Sequence, residues 1–292
     1  MAELTIRAHA KINLDLRLGS RRADGFHPID TLFVRTDVSD RLAATTAKDG
    51  SLGLVIAGDE TLSAGPDNLV LRAARLLKEA GKTRLGASLT LQKEIPQGAG
   101  LGGGSSDAAA ALRLLDKLWS LNLGRPALME IGAGLGSDVP FFLQSSPARG
   151  TGRGEILDPI PLVRLPYALL IHPGFASPTA EAYRRYAAHR KPGEEGRLLN
   201  LPLAGGKTHE IRPRNDLEPA VEEKFPWIRA AREWLSAQPG VLAARMSGSG
   251  STVFGLWQTK QEAESSGEMA RRYLGSKAWI RVTHLLGQDE PD

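Results

Sequence analysis

The chain has 292 residues, 41% hydrophobic and 24% charged, a soluble composition with enough apolar material for a large core and room for two domains. It has no cysteine, which excludes disulfides, thiol nucleophiles and cysteine-bound metal and fits a reducing, cytoplasmic setting. Lys and Arg number 37 against 33 Asp and Glu, a formal charge of +4 dispersed in short runs such as Arg21-Arg22 and Arg184-Arg185, so a small anionic ligand is expected rather than nucleic acid.

No apolar run reaches the roughly 20 residues of a membrane span, so no membrane partner is expected. The N-terminal stretch MAELTIRAHAKINLDLRL carries charges throughout and does not read as a signal peptide. The six histidines (9, 27, 172, 189, 209, 284) show no pair at metal-ligand spacing.

Residues 4–18 alternate, with Ile12, Leu14, Leu16 and Leu18 on one face and Lys11, Asn13, Asp15 and Arg17 on the other, which predicts a strand. A turn-rich connection containing Asp24-Gly25 follows, and residues 29–57 read as further short strands. Asp67-Asn68 opens an amphipathic helix that Gly81 closes. Residues 87–95 alternate again and run into PQGAGLGGGSSD at 96–107. Ser105, Ser106 and Asp107 are N-cap types, and Ala108, Ala111, Leu112, Leu115 and Leu118 behind them share one helical face. A helix is expected near 126–135 and another start near 136–142, with Pro140 tolerated in its first turn. Residues 144–161, rich in Gly, Pro and Ser, read as the passage to a second domain. That domain is expected to hold a strand at YALLIHPG, helices near 179–190 and 216–237, a long polar loop over 191–214 and a strand pair around RMSGSGSTVFGLW.

Strand, glycine loop and helix form one unit. A helix N-terminus offers unpaired N–H groups and partial positive charge, and a loop without side chains lets more amides approach an anion. Together they make a phosphate cradle. The alternative is a hinge or a tight packing contact. G-x-x-x-x-G-K-[ST] is absent, because no lysine follows the last glycine. Gly98, Gly100 and Gly103 satisfy G-x-G-x-x-G, yet the preceding strand alternates and no acidic strand end follows, so a dinucleotide fold is disfavoured. H-R-D and D-F-G are also missing, which excludes a protein kinase.

The string P-x-G-x-G-L-G-G-G-S-S-D-A-A at 96–109 resembles the central motif of the GHMP small-molecule kinases. AHAKINLDL at 8–16 and RMSGSGSTVFG at 245–255 stand where that family's other motifs are expected. RRADGFH, DNL at 67–69, GSDVPFF, GRGEIL, HPG with the later PT, and NDLE at 215–218 resemble one branch of it. That branch phosphorylates the 2-hydroxyl of a cytidine-diphosphate-linked sugar alcohol on the non-mevalonate route to isoprenoid precursors. The resemblance spans residues 8–255. It implies an α+β fold of two domains: a ribosomal-S5-like domain at 1–160, carrying the glycine loop, and an α/β-plait domain at 161–292. It also implies ATP, supplied with Mg²⁺.

Phosphoryl transfer to an alcohol needs held phosphates, an aimed hydroxyl and a proton acceptor. The loop residues Pro96, Gln97, Gly98, Ala99, Gly100, Leu101, Gly102, Gly103, Gly104, Ser105 and Ser106 are the expected phosphate site, with Ser105 or Ser106 reaching a phosphate or Mg²⁺. Asp138 either caps a helix or, as the resemblance implies, accepts the proton. Lys11 is either a solvated strand lysine or its companion, stabilising alkoxide-like charge, with Asn13 sharing in positioning. The resemblance places Phe26 and His27 on the cytosine. Tyr183 is expected on the opposing face of that sandwich, or else in ordinary helix packing. Asn68 and Lys93 are expected to touch the adenine nucleotide. SGSGST at 247–252 closes over the phosphates or is a tight turn. A homoserine or mevalonate kinase, a nucleotide-binding regulator without catalysis, and a basic nucleic-acid binder are the rival readings. Salt-dependent retention on DNA checks the last.

Overall fold

In the computed structural model, which describes residues 3–144, 146–189, 191–275 and 277–288, strand β1 (Leu4–Leu18) pairs antiparallel with β2 (Ile29–Ala47) over nearly its whole length. From Ala8 to Leu14 every residue of β1 is buried. Ala10, Ile12 and Leu14 pack in one cluster with Leu170 and Phe254, while Lys11 and Asn13 point the other way. Two register shifts, between His9 and Lys11 and between Asn13 and Asp15, bracket that stretch. Such bulges re-aim side chains next to functional sites.

The chain continues through β3 (Leu52–Ala57), α1 (Leu69–Ala80) and β4 (Gly86–Gln92), which is parallel to β3 and antiparallel to β2. Asn68 caps α1, its side chain accepting the Val70 N–H at 2.9 Å. The helix behind the glycine loop, α2 (Gly103–Leu118), starts earlier than expected: its N-cap is Gly102 in the left-handed region, and Ser105 to Asp107 lie inside the first turns. Ala108 to Ala111 are all buried, and these short side chains let α2 pack closely on β1. Then come α3 (Arg125–Leu135) and α4 (Val139–Phe142). The passage at 144–161 is not a bare linker. It forms the hairpin β5 (Ala148–Thr151) and β6 (Ile156–Pro159), and β5 adds to β2.

Strand β7 (Tyr167–His172) and α5 (Thr179–His189) fall where expected, residue 190 of the anticipated helix lying outside the described residues. The supposed loop at 191–214 contains the hairpin β8 (Leu199–Pro202) and β9 (Thr208–Ile211). The single helix expected over 216–237 is two, α6 (Glu218–Lys224) and α7 (Pro226–Ser236). Proline removes an N–H and pushes the residue before it out of the helical region, and Phe225 accordingly sits at φ −121°, ψ 79°. Strands β10 (Ala243–Met246) and β11 (Val253–Trp257) form the anticipated pair. Beyond them are α8 (Lys260–Leu274), opened by a Thr259–Glu262 capping box, and β12 (Trp279–Leu286).

Strand β12 pairs with β7 on one side and β2 on the other, so strands of both halves join in one sheet along the path β10-β11-β7-β12-β2-β4-β3, with β1, β5 and β6 paired off it, while β8 and β9 form a separate two-stranded sheet. The region expected as short strands over 29–57 owes its difference to this. β2 is one strand of 19 residues because it has partners along its whole length: β1 on one side, and β5, β12 and β4 in turn on the other.

Candidate active site

A cavity of about 1260 Å³ opens where β1, the glycine loop, α4, α5 and the 247–252 turn meet. Its wall holds Lys11 and Asn13 from β1, Asp138 from the start of α4, and the loop residues Pro96 to Gly100 and Gly102 to Ser105.

The loop's shape is set by glycines that no other residue replaces. Gly100 has φ +77°, and a Cβ there would stand 2.2 Å from the Ser247 carbonyl oxygen. Gly102 has φ +70°, and a Cβ would meet the Phe142 ring at 2.8 Å and Lys11 Cγ at 3.1 Å. The packing-contact alternative is therefore real at these positions. The same loop also presents free amides to the cavity, since the first intrahelical bond of α2 is Ser106 N–H to Gly102 O and the residues ahead of it line the cavity. The turn at 247–252 latches onto the same loop: Ser247 Oγ donates to Gly100 O at 2.9 Å and Thr252 N–H to Ala99 O at 3.1 Å. Asn215 of the NDLE stretch supports that turn, donating to Met246 O and Gly248 O at 2.8 Å each.

Lys11 is no solvated strand lysine. It is 4% exposed, and its ammonium donates to Asn13 Oδ1 at 2.7 Å and stands 3.4 Å from Asp138 Oδ2. Asn13 in turn donates to Thr31 Oγ1 at 2.8 Å, and Thr31 Oγ1 donates to the Asp15 carbonyl at 2.6 Å. The Lys11 N–H bonds Leu101 O, tying β1 to the loop. Asp138 occupies the N-cap position of α4 but makes no capping bond with its side chain. Its carboxylate faces Lys11 and the cavity instead.

Several of the expected residues have engagements that sequence reasoning did not anticipate. Ser106 is buried and faces a second, small cavity beside His9 and Arg35, because α2 begins at Gly103 and turns this side chain away from the main one. Leu101 is also buried, packed in the cluster that holds Ile12 and Ile95. Lys93 lines the cavity but is only 9% exposed, and its ammonium is engaged by Asp40 and, at 2.8 Å, by Asp107. Burial alone would lower its pKa, but the two carboxylates outweigh it and hold the ammonium above its ordinary value. Burial pushes the Asp107 carboxyl up, against the pull of Lys93. Asn68 lines the cavity while its side chain also caps α1.

At the other end of the cavity Phe26 is half exposed, with the Arg153 guanidinium 3.7 Å from its ring centre. His27 Nδ1 bonds Gly19 O at 2.9 Å, leaving Nε2 buried and unpartnered. Tyr183 lines the same cavity as Phe26, with its ring 6.5 Å from that of His27. Burial, reinforced by the negative charge of Asp138, pushes the Tyr183 hydroxyl up to about 12. Sequence reasoning missed Arg21, Arg153 and Arg184, three cations on this wall. The RRADGFH and GRGEIL stretches contain two of them, Arg21 and Arg153, and Arg184 belongs to the basic pair Arg184-Arg185.

The sequence matches the model of the GHMP kinases N terminal domain over residues 68–146 and that of the GHMP kinases C terminal domain over 197–274. The chain belongs to the GHMP kinase family. Its curated relatives include the 4-diphosphocytidyl-2-C-methyl-D-erythritol kinases of Methylacidiphilum infernorum, 39% identical over 96% of both chains, and Cereibacter sphaeroides, 42% identical over 96% of this chain and 98% of that one. A crystal structure of 4-(cytidine 5'-diphospho)-2C-methyl-D-erythritol kinase superposes with a TM-score of 0.77 at 36% identity, covering 96% of this chain and 99% of that one. The two-domain GHMP fold expected from the motifs is the fold observed.

Proposed function

We propose that this GHMP kinase transfers the γ-phosphoryl group of ATP to the 2-hydroxyl of 4-diphosphocytidyl-2-C-methyl-D-erythritol, yielding ADP and the 2-phosphate for isoprenoid precursor synthesis. One observation carries the reading: Asp138 and Lys11 meet 3.4 Å apart on the wall of the cavity that the glycine loop also lines. An acceptor, a fixed positive charge and a phosphate cradle are what alcohol phosphorylation requires.

The loop amides and the N-terminus of α2 hold the phosphates. Asp138 takes the proton of the attacking hydroxyl as its oxygen bonds the γ-phosphorus and the bond to the ADP oxygen breaks. Lys11, locked by Asn13, stabilises the charge that develops on the attacking oxygen. Phe26 stacks on the cytosine, and Tyr183 closes the opposing face of the pocket beside His27. Arg21, Arg153 and Arg184 face the diphosphate.

Mg²⁺ enters with the nucleotide. Among the described residues no three His, Asp or Glu gather into a cage. An ion on a triphosphate needs few protein ligands, since phosphates and water fill most of its positions. The Ser105 hydroxyl is a hard oxygen donor on the cavity wall and fits that need. When bound, the ion neutralises phosphate charge.

The catalytic reading assigns residues 1–160 to the nucleotide-holding domain and 161–292 to the domain whose 247–252 turn closes on the loop. No described helix is long and apolar enough to cross a membrane, and a cytoplasmic enzyme fits a substrate this polar. ADP release measured with this substrate, homoserine and mevalonate tests the reading. Turnover with the cytidine compound is expected, and turnover only with the others overturns the substrate assignment.

A further inference from the structure

We infer that Asp40, Lys93 and Asp107 form a buried clamp that pins the entry of the glycine loop to its exit and thereby sets its grip on the nucleotide phosphates. The inference rests on the loop being the phosphate site proposed above.

Three elements converge on one ammonium. Asp40 comes from β2 and is fully buried. Its Oδ1 accepts the N–H groups of Glu94 and Ile95, at 2.6 and 2.9 Å, just where the chain leaves β4 for the loop. Its Oδ2 accepts from Lys93. The same ammonium donates to Oδ2 of Asp107, near the start of α2, at 2.8 Å. Entry and exit touch at this point: a Cβ on Gly103 would lie 3.0 Å from Ile95 Cγ2 and 3.4 Å from Lys93 Nζ.

The geometry explains why a lysine next to a phosphate site spends its charge elsewhere. Free loops of glycine are flexible, and an anion cradle binds well only when its amides are held in place beforehand. Pairs buried this deeply are screened little by salt and cost much when one partner is removed. The α2 N-terminus helps to carry the second carboxylate, which is favoured at that end of a helix. Asp40 and Lys93 are thus positioning residues. Asp107 is one as well, although its Oδ1 is buried without a protein partner and its residue lines the cavity.

Asp107→Asn keeps the size of the side chain and leaves Lys93 paired one-to-one with Asp40. The variant is expected to bind ADP about tenfold more weakly by calorimetry, with kcat within a few-fold. In ligand-free protein the amides of residues 98–104 are expected to exchange about tenfold faster, with the rest of the chain unchanged. Unaltered exchange there overturns the clamp, and so does unaltered ADP affinity. Adding Lys93→Met tests whether Asp107 acts through Lys93. In that background Asp107→Asn is expected to have no further effect on ADP, whereas a full additional loss means that Asp107 touches the nucleotide itself and the clamp is wrong. If Lys93→Met does not fold, the exchange experiment on Asp107→Asn decides alone. Wild-type protein that binds no ADP defeats the phosphate-site reading instead, while the exchange measurement still reports on the clamp.

Discussion

Lys11 Nζ and Asp138 Oδ2 lie 3.4 Å apart, although one residue sits mid-strand in β1 and the other precedes α4. The contact depends on β1 being buried on both faces and on Asp138 leaving the backbone amides of α4 uncapped. A general base contributes on the order of 10²–10⁴ in rate. Asp138→Asn is therefore expected to lower kcat by about that factor while ADP affinity, measured by calorimetry, stays within a few-fold. Lys11→Met is expected to lower kcat in the same way. Near-wild-type turnover in either variant removes that residue from the chemistry.

Gly100→Ala places a methyl group 2.2 Å from Ser247 O in a backbone conformation, φ +77°, that L-residues avoid at a cost of about 1–2 kcal/mol. Thermal unfolding several degrees below wild type and an increased KM for ATP are expected. Gly134→Ala serves as the control. It lies in α3 with nothing within 4 Å of the added Cβ, and stabilisation of about 0.5–1 kcal/mol is expected there. Equal behaviour of the two variants contradicts the packing described for the loop.

Base stacking is worth about 1–3 kcal/mol by alanine substitution. Phe26→Ala is expected to raise KM for the cytidine substrate by tenfold or so, roughly that energy, with KM for ATP little changed. Arg153→Ala is expected to act in the same direction, because its guanidinium covers the Phe26 ring and lines the same end of the cavity, where the proposal places the diphosphate. Steady-state kinetics with each substrate varied in turn checks both. A rise in the ATP KM alone means that this end of the cavity has been misassigned.

His172 is 4% exposed and bonds Ser251 Oγ at 3.1 Å, and burial pulls its pKa down from 6.5 to about 4. The folded state thus binds fewer protons than the unfolded state between those values. The contribution of His172 is complete above pH 6.5 and is lost as pH falls towards 4, with a slope of up to about 1.4 kcal/mol per pH unit. His172→Asn is expected to flatten the pH dependence of thermal stability across that window and leave it unchanged above pH 7. Parallel curves for variant and wild type contradict the shift.

Much of this site was legible because its chemistry is local. Strand alternation put Lys11 and Asn13 on one face, and the glycine-to-alanine switch marked the loop and α2. What stayed hidden is long-range. Nothing near position 40 shows that its carboxylate caps the amides of Glu94 and Ile95. Nothing near Lys93 shows two carboxylates waiting for it. The inward turn of Ser106 follows from a helix that starts at Gly103, which depends on how Gly102 packs against Phe142 and Lys11. The β5–β6 hairpin read as a passage because its Gly and Pro residues are turn formers, while its pairing to β2 comes from a strand over a hundred residues earlier. The break between α6 and α7 is legible in Pro226, which ends the helical run at the residue before it.

Phosphorus NMR of the purified product, after incubation with ATP, Mg²⁺ and 4-diphosphocytidyl-2-C-methyl-D-erythritol, reads the transferred group directly. The expected result is ADP and one new phosphomonoester signal without coupling to carbinol protons, since the 2-carbon is tertiary and bears none. A proton-coupled signal from a primary or secondary position, or no transfer at all, contradicts the assignment.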